Sequence, residues 1–368
     1  MVPDLRPPRL AAARGSLVLA LCGLLLSPPG DAGMATGPTP AAAADASGFV
    51  LRQDPHGVSI EVDGSPFATY VVDEVNKPYL FPVFGPTGAE MTRAYPMRDV
   101  PEEPRAQRDH PHHRGITFGH ESLAGADSWH DRSTFPPTAS DPQAAERTQR
   151  QLAGLGRIVH RSFPRLEAGG GRAVVEQLCD HVDRAGVTVA VERRRLTFRA
   201  DAATRSIDVD QCFSPVPGGP PVVFADRKDA GLFVRVPVTM AVDAKQGGRI
   251  ANSEGQFDAE AWSKPARWCD YHGPVAGERL GIAMLNHPVS HRHPTRWHVR
   301  TYGLFAANPF AQRGYDPALA EAATTIAPGE TLRLHHRLLL HSGDHEAARV
   351  EDAWQAYARE QPEPLSAP

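Results

Sequence analysis

Two-residue alternation of apolar and polar side chains recurs along this chain and restricts it to a fold built from sheets. Val58, Ile60 and Val62 alternate with Ser59 and Glu61, and Ile207, Val209, Gln211 and Phe213 alternate with Asp208, Asp210 and Cys212. Leu332, Leu334, His336, Leu338 and Leu340 alternate with Arg333, His335 and Arg337. Successive side chains of a strand point to opposite faces, so the pattern suits half-buried strands. Between residues 187 and 199 the apolar phase slips by one across Arg193-Arg194-Arg195, which implies either a bulge or an inward-facing arginine. The 35 Pro and 32 Gly of the 368 residues supply turns, as at Pro55-His56-Gly57, Asp63-Gly64 and Pro328-Gly329. Two stretches read as helix: Asp141 to Leu152, and His345 to Arg359 with Ala347, Val350, Trp354 and Tyr357 on one stripe. No repeat of solenoid length is present. The expected fold is mostly β, a large antiparallel β-sandwich of about fifteen strands with a short C-terminal helix over 345–359.

The N-terminus reads as an export signal. Arg6, Arg9 and Arg14 precede the apolar run from Leu17 to Leu26, which is too short to span a bilayer comfortably and is followed by Pro28-Pro29-Gly30. Residues 1–33 are expected to be removed, and the Ala/Pro/Thr-rich stretch 34–47 to be a flexible linker. A single domain over 48–362 is expected to follow. No later stretch approaches 18 consecutive apolar residues, so the mature protein is expected to be periplasmic or extracellular, with no membrane contact after cleavage. A formal charge of −4 argues against a nucleic-acid partner. Beyond the leader, Cys179, Cys212 and Cys269 allow at most one disulfide and read as small buried apolar residues.

Histidine marks the candidate site. Five of the 17 histidines (His110, His112, His113, His120, His130) fall within 21 residues, and four more (His287, His291, His293, His298) within 12, so one polar site built from both runs is expected. Pro111 keeps His110 and His112-His113 out of a regular central strand, and Gly115 releases the chain into a strand over Ile116 to Glu121. The His110-x-His112 spacing can serve proton transfer or, with a third ligand from His120, Glu121, His287 or His293, one divalent metal ion. Downstream, Arg296, His298, Arg300 and Tyr302 share one strand face and Trp297, Val299 and Thr301 the other. Aromatic planes with Arg, Asn and His donors suit a sugar, whose C–H faces stack on rings while its hydroxyls take directional partners. No G-x-S-x-G elbow, phosphate loop, H-E-x-x-H or C-x-x-C motif is present.

Several segments come in a familiar order. They are Lys77-Pro78-Tyr79, Thr92-Arg93, Asp109 to Gly115, Gly231-Leu232 to Arg235-Val236, Trp268-x-x-Tyr271-x-Gly273, His287-Pro288, Arg292 to Arg300, Tyr302-Gly303-Leu304 and Asn308-Pro309-Phe310. Together, over about residues 49 to 345, they resemble an exported bacterial family labelled "methane oxygenase PmoA", a domain of unknown function. The resemblance implies a galactose-mutarotase-type β-sandwich that keeps company with sugar-processing proteins. A chain with no membrane helix after its leader is not expected to oxidise methane. The family's pattern has Asp where this chain has Asn286, and tends to read Ser-Asn-Pro where it has Val289-Ser290-His291, departures that bear on whether this member is fully active.

The resulting expectation is a carbohydrate-active enzyme of epimerase, lyase or hydrolase type, with a small sugar or oligosaccharide as its partner and no cofactor. His110 and His112 would contact substrate oxygens and transfer protons, Arg114 would orient, and His287 and His298 would be the opposing acid–base partners. Trp129, Trp268 or Trp297 would form the stacking platform. Lys77, Arg93, His113, His120, Tyr271, His293, Arg296, Arg300, Tyr302 and Asn308 complete the expected binding set. Two alternatives stay open: a metal-dependent enzyme with ligands drawn from His110, His112, Glu121 and His293, and a non-catalytic sugar-binding module.

Overall fold

A computed structural model describes residues 48–101, 103–104, 108–135 and 141–368. The expected leader and linker, 1–47, lie outside the described residues. The fold is mostly β and antiparallel, with eighteen strands among the described residues, numbered here in chain order. One eight-stranded sheet runs β1 (Phe49–Asp54), β2 (Gly57–Val62), β3 (Ser65–Val71), β4 (Tyr79–Val83), β5 (Ile116–His120), β11 (Ala230–Arg235), β16 (Leu304–Asn308), β15 (Arg296–Val299). The other runs β12 (Arg249–Asn252), β13 (Trp268–Val275), β14 (Glu278–Asn286), β18 (Leu332–Ser342), β9 (Thr204–Ser214), β8 (Thr188–Ala200), β7 (Arg172–Val182), β6 (Arg157–Gly169). A short third sheet pairs β10 (Val222–Phe224) with β17 (Thr324–Ile326).

The alternation read in the sequence builds the contact between the two large sheets. Val58, Ile60, Leu80, Ile116, Leu232, Val234, Trp297, Val299 and Phe305 of the first sheet pack against Val175, Leu196, Phe198, Ile207, Val209, Ile282, Met284, Leu338 and Leu340 of the second. The sandwich is therefore sealed by the inward-facing residues of each strand, the side chains for which burial has a favourable transfer free energy. Cys179, Cys212 and Cys269 are free and buried in it.

The phase slip in β8 resolves as inward charge rather than a bulge. Pairing of β8 with β9 is unbroken from Val191 to Ala200, so Glu192 and Arg194 simply take two inward positions. They survive there as a closed network. Arg194 donates from Nε to Glu192 Oε1 at 2.7 Å and from Nη2 to Oε2 at 3.1 Å. His181 Nε2 at 2.8 Å and Gln211 Nε2 at 2.8 Å also serve that carboxylate, and Arg194 Nη1 reaches the Tyr70 hydroxyl across the sandwich at 3.1 Å.

The helices sit outside the sheets. α1 (Pro142–Gly154) starts at Asp141, whose side chain accepts from the Ala144 amide, so the helix expected over Asp141 to Leu152 forms nearly in place. The C-terminal helix α2 (Val350–Arg359) starts five residues later than expected, because 345–349 form turns. It lays Val350 and Tyr357 on Trp268, Ala283, Leu285 and Leu339 of the second sheet. Beyond it the chain end straps the same face, where Arg195 donates to the Glu363 carbonyl, Arg333 to the Leu365 carbonyl and Arg337 to the Glu360 carboxylate. Among the described residues no helix is long and apolar enough to cross a membrane.

Candidate functional site

The first histidine run lies on the outer face of the first sheet. β11 and β16 present Phe233, Leu304 and Ala306 to that side, and Trp129 from the loop after β5 packs on them. The turn Asp109–Gly115 closes over this apolar patch. Gly115 has φ +46, and a Cβ there would lie 2.0 Å from the Leu80 carbonyl oxygen. Gly115→Ala is accordingly expected to cost about 2 kcal/mol or more, read as a lowered urea midpoint, because an added methyl meets backbone that cannot yield.

Two arginines hold the turn from below. Arg93 and Arg235 both donate to Asp109 Oδ1, at 2.9 and 2.5 Å, and Arg93 also donates to the His110 carbonyl at 3.0 Å. Burial would raise the Asp109 pKa, but His110, Arg235 and Arg93 outweigh it and hold it at about 2. His110 itself has a left-handed backbone, φ +46, the kind of local strain that surrounding contacts must maintain. Its Nδ1 donates to Asp109 Oδ2 at 2.7 Å, and its ring is stacked between His113 and Tyr302, with centroids 4.9 and 5.1 Å away.

His112 points to the loop that follows β5. Its Nδ1 shares a 3.0 Å hydrogen bond with the Thr134 hydroxyl, which leaves Nε2 as the ring atom for a ligand. Its centroid is 4.9 Å from that of His130. These two imidazoles are tuned in opposite directions. Burial, then the Lys77 and His130 charges, drives the His112 pKa far below the ordinary value, so that ring is neutral. Burial also works against a charged His130, but the 2.8 Å bond from its Nδ1 to Asp127, with Asp229 and Glu121 nearby, raises its pKa above the ordinary value. Lys77, wholly buried, donates to the Trp129 carbonyl at 2.7 Å, and burial lowers its pKa to about 8 against the pull of Asp131 and Asp127. Arg114 Nε and Asp131 Oδ2 form an ion pair at 3.7 Å, beyond hydrogen-bond length, and the buried Nδ1 of His113 takes no hydrogen-bond partner. Buried polar groups are nearly always satisfied, so the unpaired His113 Nδ1 is the exception in this group.

Of the downstream run, His298, Arg300 and Tyr302 reach this group. His298 lies parallel to Trp129, centroids 6.4 Å apart, donates from Nδ1 to the Lys228 carbonyl at 2.8 Å, and is held by burial at a pKa of about 4 despite Asp229. Arg235 and Arg300 both lie over the Tyr302 ring. Asn308 fixes the neighbouring loop by donating to the Arg227 and Lys228 carbonyls.

The remaining expected residues are placed elsewhere. His287 is bound to the Glu360 carbonyl and packs on Tyr357, and His293 is bound to Asn286 and stacked on Trp354, so both belong to the C-terminal helix rather than opposing His112. Asn286 does not touch the His287 ring: its amide accepts from His293 and the Thr295 amide and faces His336, which makes it structural here. His120 packs between Phe224 and Phe310, and its Nδ1 accepts from the Ser122 amide. Tyr271 is buried under the 242–301 region with its hydroxyl on the Thr301 carbonyl, and Arg296 donates to the Ser263 carbonyl. The stacking platform expected from tryptophan is not available: Trp129, Trp268 and Trp297 are 1, 5 and 0 % exposed. The expected metal set is not assembled either, because His293 is drawn off to the helix and His110, His112 and Glu121 form no three-ligand group among the described residues.

Sequence reasoning counted His130 in the first run but gave it no role, and it passed over Asp127, Asp131, Asp229 and Arg235. The Asp127-x-x-His130 spacing was the available signal, since it allows a carboxylate to cap a histidine within one turn of loop.

Among solved structures the chain is similar to a galactose mutarotase-like protein of Clostridium acetobutylicum, at 7% identity and a TM-score of 0.36, covering 80% of this chain and 99% of that one. It is also similar to a protein of Escherichia coli K12 provisionally described as an aldose 1-epimerase, at 13% identity and a TM-score of 0.26, covering 81% and 100%. Scores this low carry no chemistry across. No curated protein matches. The family that does match has a description without any methane oxygenase label: over residues 57–355 this chain belongs to a family of unknown function, DUF6807.

Proposed function

We propose that this protein is an exported carbohydrate-active enzyme that works by acid–base catalysis at His112 and His130. The observation that carries the reading is the pair of adjacent imidazoles with pKa values pushed apart, His112 far below the ordinary value and His130 above it. Such a pair divides the roles: neutral His112 accepts a hydrogen bond from a substrate hydroxyl through Nε2 and His130 delivers a proton. Epimerisation, elimination and hydrolysis of a sugar all need that exchange across one carbon or oxygen. The sugar itself is supported by the surrounding donors, Lys77, Arg114, His298 and Tyr302, and by the unpartnered Nδ1 of His113, which suit an array of hydroxyls. Export rests on the leader pattern in residues 1–33.

The test is a panel of aldoses, uronic acids and short oligosaccharides, screened by melting-temperature shift and then by proton NMR for turnover. A sugar that shifts the melting temperature should be turned over, with His112→Ala and His130→Asn each losing about 10²–10⁴-fold in kcat. The rate should hold on the acid side of neutrality wherever the fold persists, because His112 stays neutral. It should fall as pH rises through the elevated His130 value, which lies above 6.5. Turnover undiminished in either variant would end the assignment, and sugar affinity without turnover would leave a binding module.

A further inference from the structure

The second sheet carries an independent cluster on its outer face. Asp270 and His272 lie two apart on β13, so both side chains project from one face. His341 on β18 faces them across β14, and His345 follows in the turn that leads to α2. His272 Nδ1 donates to Asp270 Oδ2 at 2.6 Å, and His341 Nε2 donates to Oδ1 at 2.9 Å. His345 folds back so that its ring stacks on His272, centroids 5.7 Å apart, with Trp268 and Phe257 around it. One ligand atom each from Asp270, His272 and His345 lies within 4.8 Å of the others, the only such grouping among the described residues.

Two further observations separate this cluster from an ordinary hydrogen-bonded core. The Nδ1 of His345 is buried and has no partner, although its ring sits beside a carboxylate and another imidazole. The row His272–Gly281–His341 across β13, β14 and β18 has glycine at its centre. A Cβ at Gly281 would stand 2.3 Å from His341 Cε1 and 3.0 Å from His272 Cβ, so the missing side chain is what admits both rings.

We propose that Asp270, His272 and His345 bind one divalent first-row transition-metal ion. Two imidazoles and a carboxylate are a donor set for such an ion, with water completing the coordination, while His341 fixes the far carboxylate oxygen as an outer-shell partner. The ion would fasten the turn after β18 to β13 and so brace the approach to α2. It is separate from the His112–His130 pair, which belongs to the other sheet.

The experiment uses the full chain without an affinity tag, stripped with chelator and titrated with Zn²⁺ by calorimetry, with elemental analysis after desalting. One equivalent is expected, with a raised melting temperature, since a ligand that binds only the folded state stabilises it. His345→Ala, a change in a partly exposed turn, should abolish the stoichiometric zinc while keeping the metal-free melting temperature, and His112→Ala should keep the zinc. Co²⁺ in place of Zn²⁺ should give d–d absorption that His345→Ala removes. No stoichiometric binding by the parent chain, zinc retained in His345→Ala, or zinc lost in His112→Ala would each overturn the assignment.

Discussion

Replacing Glu192 with alanine is expected to cost about 3–5 kcal/mol, the range for removing one partner of a buried ion pair. The change strands the Arg194 guanidinium between the sheets, together with the donors of His181 and Gln211, and leaves the neutral Tyr70 hydroxyl in place of a carboxylate as the acceptor for Arg194. Burial works to raise the Glu192 pKa, but Arg194 and His181 hold it at about 2, so the carboxylate is charged in the fold at every pH of interest. The urea midpoint at pH 7.5 measures the loss. The double change Glu192→Leu with Arg194→Met removes both charges at similar volume and should recover most of the stability. A single variant within about 1 kcal/mol of the parent would mean that Arg194 does not depend on the Glu192 carboxylate.

Acid should be comparably disruptive. Burial holds His112 and His113 far below the ordinary histidine value, His120 and His336 at about 3, and His298 at about 4. In the unfolded chain these rings take up protons near pH 6.5, so below that value the unfolded state binds protons that the fold refuses. The sign is loss of stability as pH falls, beginning near 6.5 and continuing down to the folded values. At pH 5 each ring contributes about 2 kcal/mol of that loss. Five of them together rival the total stability of about 5–15 kcal/mol usual for a domain. His130 and His341, whose values are raised, act in the opposite direction but are outnumbered. Thermal melts at pH 7.5, 6.5, 5.5 and 5.0 should show a steep decline and unfolding at ambient temperature near the last. A melting temperature flat across this range would contradict neutral burial of these rings.

The sandwich was legible because alternation reports directly which residues face inward, and Ile207, Val209, Leu338 and Leu340 do so in phase. Its limit is also instructive. Alternation assigns a side chain to one of two faces of a strand but not to a sheet, and the second histidine run is split between the two. Asn286-His287-Pro288 leaves β14 in the second sheet, while His298 rides β15 in the first, only eleven residues later. Glu192 and Arg194 read as a phase error because periodicity scores polarity, whereas their burial depends on partners from β3, β7 and β9. The pairing of His130 with Asp127 lies in a loop, where no period exists to reveal it. The tryptophans were recognised as aromatic surface but serve as filling, Trp297 in the sandwich and Trp129 beneath the site.

The position of β18 has a consequence for how the molecule can be made. It is the last strand among the described residues, yet it lies in the middle of the second sheet, between β14 and β9. Until residue 342 has been synthesised, β6–β9 and β12–β14 are two half-sheets, each with an exposed backbone edge that only this strand can close. Assembly of that sheet therefore waits for β18, and a ribosome stalled before it leaves two open templates for pairing with other chains.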